Sequence, residues 1–409
     1  MSVTRSRIAI IGAGPIGLEA ALAAGERGLD FTVYEAAATP GGYVRAWSHV
    51  RTFTPWDMNV SRRARGALGT SAPEGRDLPT GAELADRLID PLAAAPAIAG
   101  RVRLGTRVRA IGREGLLKHE AIGSAQRAAR PFRLLLTDAD GREAIEHADA
   151  VIDCSGTYGI PNRLGDGGID APGERAFEER IVRYLPEFDS DAERWAGRTT
   201  LLTGSGHSAQ TAARSLAGLA AGAPGTKVIW AVRRPEPDWG AVDRDPLLER
   251  SALNATAAEL ARGESPHVEV RRGRVTEALE ARGGRIAVSL RNGGESATNG
   301  SASMRDRSQN VEVDSILALN GGVGDHSLYR QLQVHECYAT CGPMSLAAAL
   351  LAEGGGGDCL AQSSHGPETL RNPEPGFFIL GAKSYGRNSQ FLMSIGWQQV
   401  DDVFASLLT

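Results

Sequence analysis

The stretch Arg7–Glu35, RIAIIGAGPIGLEAALAAGERGLDFTVYE, decides how the first part of this chain folds. Its apolar start, residues 8–11, is too short for a helix and rich in β-branched side chains, so it predicts a buried strand. A Gly-x-Gly-x-x-Gly turn follows, then an Ala-rich helix to about Gly28 and a second strand that ends on Glu35. This order predicts a dinucleotide-binding βαβ unit.

Each residue of the glycine turn has its own expected function. Gly12 permits the tight turn, and Gly17 lets the helix pack closely on the strand. Gly14, followed by Pro15, lets the backbone approach a pyrophosphate, which would lie on the N–H groups at the positive end of the helix. Glu35 would accept hydrogen bonds from a ribose 2′-OH. A glycine-rich turn with no ligand is the alternative.

The length and charge of the chain limit its class. At 409 residues it is long enough for two or three domains. A net charge of −4 leaves no excess of basic residues for nucleic acid. No apolar run reaches the length of a membrane span, and the first strand begins so early that a signal peptide has no room. The sequence therefore predicts a soluble cytoplasmic protein with no nucleic-acid or membrane partner.

The four cysteines, Cys154, Cys337, Cys341 and Cys359, include no Cys-x-x-Cys pair. That spacing argues against a thioredoxin-type dithiol centre. Cys337 and Cys341 could share a helix face, but no second pair of ligands stands near them for zinc. We therefore expect reduced cysteines and no metal site.

Two loops of the first domain carry candidate ligand contacts. After Glu35, the Pro-Gly-Gly turn that ends at Gly42 would let the backbone pass close to a ligand. The segment that follows carries Arg45, Trp47 and Trp56. Two tryptophans within ten residues indicate a pocket wall beside a flat ring, with ordinary loop anchoring as the alternative.

The end of this first unit is a buried strand, Asp149–Asp153, that runs into small residues. Ser155 and Gly156 would permit a ligand to approach the backbone closely. Before it, residues 112–130 form a basic, Gly/Ala-rich stretch that interrupts a pair of strands. A solvated loop is favoured there over contact with a cofactor phosphate or an acidic substrate.

A second glycine loop follows a strand at residues 199–203 and leads into a helix. The loop reads Gly204-Ser-Gly206-His207-Ser208-Ala. The next strand, residues 227–232, ends in Arg233-Arg234 instead of an acid. Because arginine suits a dianionic 2′-phosphate, this loop predicts NADPH in preference to NADH; a solvated strand end is the alternative.

His207 lies at the predicted N-terminus of that helix. The positive end of a helix disfavours protonation of an imidazole. We therefore expect His207 to position the nicotinamide or the pyrophosphate rather than to act as an acid or base.

The rest of the chain returns to the first domain. Residues 285–290 and 310–313 could pair as a hairpin around a polar tip at 291–309, which its composition predicts to be mobile, and a buried strand then covers 313–319. The tail, residues 375–388, is a strand that ends in a glycine-flanked polar turn, and a helix follows over 391–408. The helix would direct its positive N-terminus at the turn. That arrangement favours a flavin, whose reduced ring carries negative charge at N1 and O2.

These elements predict an α/β fold of two Rossmann-like three-layer domains. The NADPH-binding domain, residues 161–315, would be inserted into a split FAD-binding domain made of residues 1–160 and 316–409.

With both glycine loops and the tail in view, the chain resembles the two-dinucleotide-domain flavoproteins. Within them it is similar to the flavin-dependent monooxygenases that include N-hydroxylases and microbial flavin-containing monooxygenases. The motifs that carry the resemblance are, in chain order, GAGPIG with Glu35, the PGG turn, DAVIDCSGT, GSGHSA with Arg233-Arg234, VDSILALNG and ILGAKSYGR…GWQQV.

The resemblance implies FAD and NADPH as cofactors. The residues that it assigns to FAD are Gly12, Gly14, Pro15, Gly17, Glu35, Gly42, Arg45, Val108 (through its backbone, at the adenine), Ser155, Gly156, Gly381, Lys383 and Gln390. Those that it assigns to NADPH are Gly204, Gly206, His207, Ser208, Arg233 and Arg234. The candidates for the reaction site between the domains are Arg45, Trp47, Trp56, His207 and Lys383.

The activity that the resemblance implies is a monooxygenase. NADPH would reduce FAD, and a flavin C4a-peroxide formed with O2 would oxygenate a small nucleophilic substrate such as an amine or a thiol. One departure is that the FxGxxxHxxx fingerprint of that group is absent, since residues 176–184 read AFEERIVRY. The alternatives are an NADPH-dependent flavin reductase that serves a small acceptor or a protein partner, and a non-catalytic flavoprotein redox sensor. A homodimer is compatible with any of these.

Overall fold

The computed structural model describes residues 7–293, 309–353, 360 and 364–407. The chain divides into two compact units: Met1–Ile160 together with Gly322–Thr409, and the continuous segment Pro161–Gly321. The strands are β1 (Arg7–Ile11), β2 (Asp30–Tyr34), β3 (Val102–Arg103), β4 (Arg107–Arg113), β5 (Phe132–Thr137), β6 (Glu143–Ala148), β7 (Ala150–Asp153), β8 (Ile160–Pro161), β9 (Ile181–Val182), β10 (Thr199–Thr203), β11 (Lys227–Val232), β12 (Val268–Arg272), β13 (Arg274–Arg282), β14 (Arg285–Asn292), β15 (Gln309–Val313), β16 (Ser315–Ala318), β17 (Gly322–Val323) and β18 (Phe377–Ile379).

The helices are α1 (Pro15–Glu26), α2 (Gly42–Arg45), α3 (Trp56–Asn59), α4 (Arg62–Leu68), α5 (Gly81–Leu84), α6 (Asp90–Ala93), α7 (Ala125–Ala128), α8 (Ala192–Trp195), α9 (His207–Gly222), α10 (Leu248–Ala261), α11 (Met344–Ala352), α12 (Pro367–Leu370) and α13 (Met393–Ser406). Within the described ranges, no helix is long and apolar enough to cross a membrane.

The first unit is built on a parallel sheet with the strand order β18-β7-β1-β2-β3. Alternate residues of β1 enter different cores, as a pleated strand requires: Ile8 and Ile10 pack with α1 and α13, whereas Ala9 and Ile11 pack with the antiparallel sheet β4-β5-β6. The strands that follow β1 in the chain are added first on one side of it (β2, β3) and later on the other (β7, β18), so the strand order reverses at β1 although all five strands are parallel. Ligands of such sheets bind at the carboxyl ends of the strands on either side of that reversal.

The second unit repeats this plan with the parallel order β12-β11-β10-β16-β9 and an antiparallel sheet, β13-β14-β15. Apolar side chains of β10, β11 and β16 form one core with those of the antiparallel sheet. The α/β fold class is therefore confirmed. The predicted pairing of residues 285–290 with 310–313 is confirmed as the β14–β15 pair, and most of its predicted tip, residues 294–308, lies outside the described residues.

The domain boundary predicted between residues 315 and 316 is wrong. It would cut β16, which pairs in parallel with β10 from Thr200↔Ser315 to Thr203↔Ala318. The second unit therefore continues to Gly321. The sequence did not reveal this, because a buried strand reads the same whichever sheet it joins.

The sequence favoured a solvated loop for the basic stretch 112–130, but two of its arginines are buried. The guanidinium groups of Arg113 and Arg127 are buried in the first unit and share the carboxylate of Glu374, with shortest N–O distances of 2.6 and 2.7 Å. The Gln333 amide donates to the same carboxylate at 2.7 Å. The charge of this stretch is therefore partly used inside the fold, because a buried arginine needs an anionic partner.

Candidate functional site

The first glycine loop joins β1 to α1 at the reversal of the sheet. Gly12 has a φ of +97°, and a Cβ atom there would lie 2.8 Å from the carbonyl oxygen of Cys154, which follows β7. A Cβ atom on Gly17 would lie 1.9 Å from the carbonyl oxygen of Gly12. Both positions therefore exclude a side chain, because the ends of β1, α1 and β7 come together there.

The N-terminus of α1 is open for an anion. Gly14 is the N-cap residue, and no side chain of the described residues caps the helix, which begins at Pro15. A Cβ atom on Gly14 would meet no described atom within 4 Å. The first N–H groups of a helix lack partners within the helix. This end can therefore receive a pyrophosphate, as the sequence predicts.

Glu35 is fixed beside that loop at the end of β2. Its Oε2 accepts a hydrogen bond from the Ala13 amide at 2.8 Å, and its Oε1 accepts one from the Ala37 amide at 2.9 Å. The Gly41 amide also donates to the Ala13 carbonyl oxygen at 3.0 Å, so the Pro-Gly-Gly turn contacts the glycine loop. Gly42 is needed in this turn, since a Cβ atom there would lie 2.4 Å from the Cβ of Ala37. Each carboxylate oxygen of Glu35 keeps acceptor capacity for a ribose hydroxyl.

Arg45 is held by protein carboxylates. Its guanidinium lies 2.6 Å from Asp90 and 3.4 Å from Asp86, and its Nε donates to the Pro40 carbonyl oxygen at 3.3 Å. A π-helical turn, Ala85–Ile89, lies between α5 and α6 and carries one of the two acids. The structure therefore places Arg45 in contact with these acids beside the turn, and its predicted catalytic role stays a prediction.

The two tryptophans of the predicted pocket wall have different surroundings. Trp47 packs partly buried against the core that contains α1, and its indole Nε1 is buried with no hydrogen-bond partner among the described residues. Trp56 is 2% exposed, and the Arg87 guanidinium lies 5.0 Å from its ring centroid. Trp56 also lines a cavity of about 400 Å³ with Arg51 and Arg76. Trp56 therefore serves both as a core residue and as a cavity wall.

Lys383 is the centre of a buried polar network at the carboxyl end of β7. Its ammonium donates to Asp153 at 2.5 Å, to the Ser155 hydroxyl at 3.1 Å and to the Asp325 carbonyl oxygen at 2.9 Å. Both charged side chains of the Lys383–Asp153 pair are fully buried. All three donors of the Lys383 ammonium therefore have protein acceptors in this structure, and its predicted catalytic role stays a prediction.

This network includes residues that the sequence did not single out. The Lys383 ammonium lies 5.1 Å from the ring centroid of Tyr329, and the Tyr329 hydroxyl donates to Glu336 at 2.7 Å. Glu336 also contacts His326 Nδ1 at 2.5 Å. Burial, followed by the hydrogen bond and charge of Glu336, raises the pKa of Tyr329 well above its ordinary range. One feature of the sequence could have indicated this network: Asp153 places a charge at the end of an apolar strand, and a buried charge requires a partner.

The tail supplies a turn on the other side of β7. Gly381 has a φ of +74°, and its amide donates to Gln399 Oε1 of α13 at 2.9 Å. Gly396 of α13 packs on α1 so closely that a Cβ atom there would lie 2.4 Å from Ile16 Cδ1. No side chain of the described residues caps α13. The predicted glycine-flanked turn before an open helix N-terminus is therefore present.

Three further predicted contacts lie in this unit. Gly156 has a φ of +73° just after β7. The Gln390 amide, before α13, donates to Asn388 Oδ1 at 2.9 Å. Val108 lies in β4, one of the two edge strands of the antiparallel sheet, where the strand pairing is irregular between Val108 and Ala110.

The second glycine loop has the same construction in the second unit. Gly204 has a φ of +109°, and a Cβ atom there would lie 2.2 Å from the Leu319 carbonyl oxygen. Gly206 is the N-cap of α9, no side chain of the described residues caps this helix, and a Cβ atom on Gly206 would meet no described atom within 4 Å. Trp230 of β11 stabilises the loop, because its indole donates a hydrogen bond to the Gly204 carbonyl oxygen at 2.8 Å. Ser208 lies exposed in the first turn of α9.

The charged residues of this loop agree with the electrostatics expected for it. His207 is the first residue of α9; burial, then the charge of Arg250, holds its pKa below the ordinary value, with Asp245 opposing. Arg233 is exposed at the end of β11, and within the described ranges no carboxylate pairs with it, whereas Arg234 lies 3.7 Å from Asp238. Arg233 is therefore the better placed of the two for a phosphate.

Comparison with known proteins supports the assignment of the fold. Residues 10–78 match a family model described as an NAD(P)-binding Rossmann-like domain. Matches to curated proteins are local: a probable N-methylproline demethylase of Rhizobium meliloti (strain 1021) is 56% identical over 41 residues, which is 10% of this chain and 6% of that protein. The NAD-dependent dihydropyrimidine dehydrogenase subunit PreT of Escherichia coli (strain K12) is 50% identical over 42 residues, 10% of each chain.

Solved structures match over nearly the whole chain. The bacillithiol disulfide reductase Bdr of Staphylococcus aureus has a TM-score of 0.67 at 16% identity and covers 98% of both chains. The ornithine N-hydroxylase of Kutzneria sp. 744 has a TM-score of 0.62 at 14% identity and covers 99% of both. The chain therefore has the fold of these two solved proteins over nearly its whole length.

Proposed function

We propose that the protein is an FAD- and NADPH-dependent monooxygenase that oxygenates a small nucleophilic substrate, an amine or a thiol. One observation carries the cofactor assignment: each parallel sheet has a glycine loop that leads into a helix whose N-terminus no side chain in the described ranges caps. The strand end beside the first loop carries Glu35, and the one beside the second carries Arg233. The first loop with Glu35 suits a ribose with free hydroxyls, and the second loop with Arg233 suits a ribose that carries a 2′-phosphate.

The residues of the first unit fit FAD. Gly12, Gly14 and Gly17 would hold the pyrophosphate on α1, and Glu35 would bind the ribose. The turn at Gly381, with the N-terminus of α13, would face the negative edge of the ring. When bound, the flavin supplies hydride acceptance from NADPH and the activation of oxygen.

The residues of the second unit fit NADPH. Gly204 and Gly206 would let the backbone of α9 approach the pyrophosphate, with the Ser208 hydroxyl in the same helical turn. Desolvation and the charge of Arg250 lower the pKa of His207, which disfavours a positive charge there. We assign the 2′-phosphate to Arg233.

Two features support oxygenation of a substrate. The ornithine N-hydroxylase of Kutzneria sp. 744 has this fold over 99% of both chains. The sequence also has no Cys-x-x-Cys pair of the thioredoxin type.

An NADPH-dependent reductase that passes electrons to a small acceptor or a protein partner is the second candidate. Two observations favour it. The bacillithiol disulfide reductase of Staphylococcus aureus has this fold over 98% of both chains. Histidine is also absent from residues 176–184, where the chain forms a 3₁₀ helix, Glu174–Arg180, and then β9.

A stopped-flow experiment separates the two. The protein, reconstituted with FAD, is reduced with NADPH without oxygen and then mixed with oxygenated buffer. We expect an absorbance transient that differs from both oxidised and reduced flavin and decays faster when the right amine or thiol is present. Direct return to oxidised flavin with release of peroxide, for every amine and thiol tested, would favour the reductase. Failure to bind FAD would contradict both.

Arg233→Ala should alter the choice of nicotinamide cofactor. Loss of a charge-assisted hydrogen bond costs about 1.5–3 kcal/mol, so we expect KM for NADPH to rise roughly 10- to 100-fold and KM for NADH to stay unchanged. Steady-state flavin reduction with each nucleotide measures this. Arg234→Ala is the matched control, since Arg234 is engaged by Asp238, and its effect should be smaller. An equal loss with both nucleotides would contradict the assignment to the 2′-phosphate.

A further inference from the structure

The loop between Glu336 and Pro343 of the first unit holds two cysteines, and the proposed function uses neither. Cys337 and Cys341 are free thiols in the structure. An isolated β-bridge between Glu336 and Pro343 closes the base of the loop, and the Cys337 amide donates to the Gly342 carbonyl oxygen at 2.8 Å. The loop is therefore a tight, hydrogen-bonded unit.

The backbone of this loop brings the two cysteines close together. The Cys341 amide donates to the Cys337 carbonyl oxygen at 2.9 Å. Standard bond lengths, together with the fixed angle at the carbonyl carbon, limit the separation of the two Cα atoms to about 6.8 Å. Disulfides span Cα separations of roughly 4.4–6.8 Å. The separation is therefore one that a disulfide can bridge.

The two thiols have different surroundings. Cys337 is buried, 4% exposed, and its sulfur accepts hydrogen bonds from the Thr340 hydroxyl and from the amides of Thr340 and Ala339. These donors stabilise a thiolate and lower the pKa of Cys337. Cys341 is partly exposed, so it is the thiol that a reagent in solution meets first.

The conformation of Cys341 is unusual. Its φ is +64°, a region that residues other than glycine rarely adopt. The loop is held in this form by the tail: the Arg387 amide donates to the Thr340 carbonyl oxygen at 2.7 Å, and a Cβ atom on Gly342 would lie 2.8 Å from the Ser384 carbonyl oxygen. The loop therefore packs on the turn that we assign to the flavin.

We propose that Cys337 and Cys341 form a redox-active thiol pair that closes to a disulfide by exchange with a small disulfide. The Cys341 thiolate attacks one sulfur of the small disulfide and displaces the first thiolate. The Cys337 thiolate then attacks the Cys341 sulfur, closes the internal disulfide and displaces the second thiolate. The pair loses two electrons, and the two cysteine protons pass to the two released thiolates. The reaction needs neither FAD nor NADPH, so its test is independent of the oxygenase proposal.

The test uses the full chain and the aromatic disulfide 5,5′-dithiobis(2-nitrobenzoate). After reaction, free thiols are alkylated and the protein is cut after glutamate, which releases Cys337–Glu353 as a peptide without Cys359. We expect this peptide to be lighter by two hydrogens and to carry neither alkyl group nor adduct. A peptide with both cysteines alkylated, with two stable adducts, or with a disulfide to Cys359 would overturn the proposal.

Variants assign the order of the two steps. Cys337→Ser should leave a stable adduct on Cys341, because nothing remains to displace it. Cys341→Ser should react far more slowly, because the remaining thiol is buried. Cys359→Ser is the control and should close the pair at the wild-type rate. Rapid formation of an adduct on Cys337 in Cys341→Ser would show that Cys341 is not the first thiol to attack.

Discussion

Glu374→Ala is expected to destabilise the first unit by about 3–5 kcal/mol, because it leaves two arginine charges buried without their counter-ion. The side chains of Arg113, Arg127 and Glu374 are at most 1% exposed. Arg127 donates to both carboxylate oxygens and to the carbonyl oxygens of Leu117 and Glu120. The Arg113 guanidinium also lies 3.6 Å from the ring centroid of Phe132. Neither arginine can reach water without opening this part of the unit.

Urea unfolding of the full chain measures the effect, as a lower midpoint of the transition at an unchanged slope. Arg142→Ala is the matched control, because Arg142 pairs with Asp140 at the surface, where both side chains are more than two-thirds exposed. Its effect should stay within about 0.5 kcal/mol. An effect of Glu374→Ala as small as that of the control would contradict the buried triad.

The same carboxylate should make stability depend on pH. Burial alone would raise the pKa of Glu374, but hydrogen bonds from Arg127, the Gln333 amide and Arg113 hold it below the ordinary value. A carboxyl group whose pKa is lower in the folded state stabilises the fold above its unfolded pKa, which is about 4.3, and this stabilisation is lost as pH falls through the folded pKa. The difference in free energy of unfolding between wild type and Glu374→Gln should therefore shrink as the pH falls below about 4.3.

Lys383→Met is expected to have the second large effect, again about 3–5 kcal/mol, because it leaves the Asp153 carboxylate buried without its cation. The change also frees Ser155 and the Asp325 carbonyl oxygen, so we expect the loop after β7 to shift and the purified protein to retain less flavin. Urea unfolding and the ratio of flavin to protein absorbance measure the two consequences.

A second substitution tests the cause. Adding Asp153→Asn to Lys383→Met removes the unpaired charge, so the double variant should be more stable than Lys383→Met alone even though more of the network is gone. If the double variant is instead less stable by the sum of the two single effects, the Lys383–Asp153 charge pair is not the source of the loss.

The sequence by itself determined the two glycine loops. A left-handed turn at Gly12 or Gly204 and the absence of a side chain at Gly17 are requirements of the local backbone, so they appear as glycines at fixed spacing. Glu35 and the arginines after β11 could also be predicted locally, because each follows the first strand after its glycine loop. The α/β class follows from the order of these units.

Only the tertiary structure decided the partners of the charged residues. Arg113 meets Glu374 across 261 positions of sequence, and Lys383 meets Asp153 across 230; no local pattern encodes either distance. The sequence favoured a solvated face for the first arginine, and its burial shows that this interpretation is wrong; the predicted role of Lys383 in the reaction stays a prediction. Two other features could not be predicted from the sequence for the same reason. The acids that pair with Arg45 and the sheet that β16 joins both depend on how distant segments pack. Local backbone geometry is written in residue types at short spacing, whereas the pairing of buried charges depends on how distant segments pack.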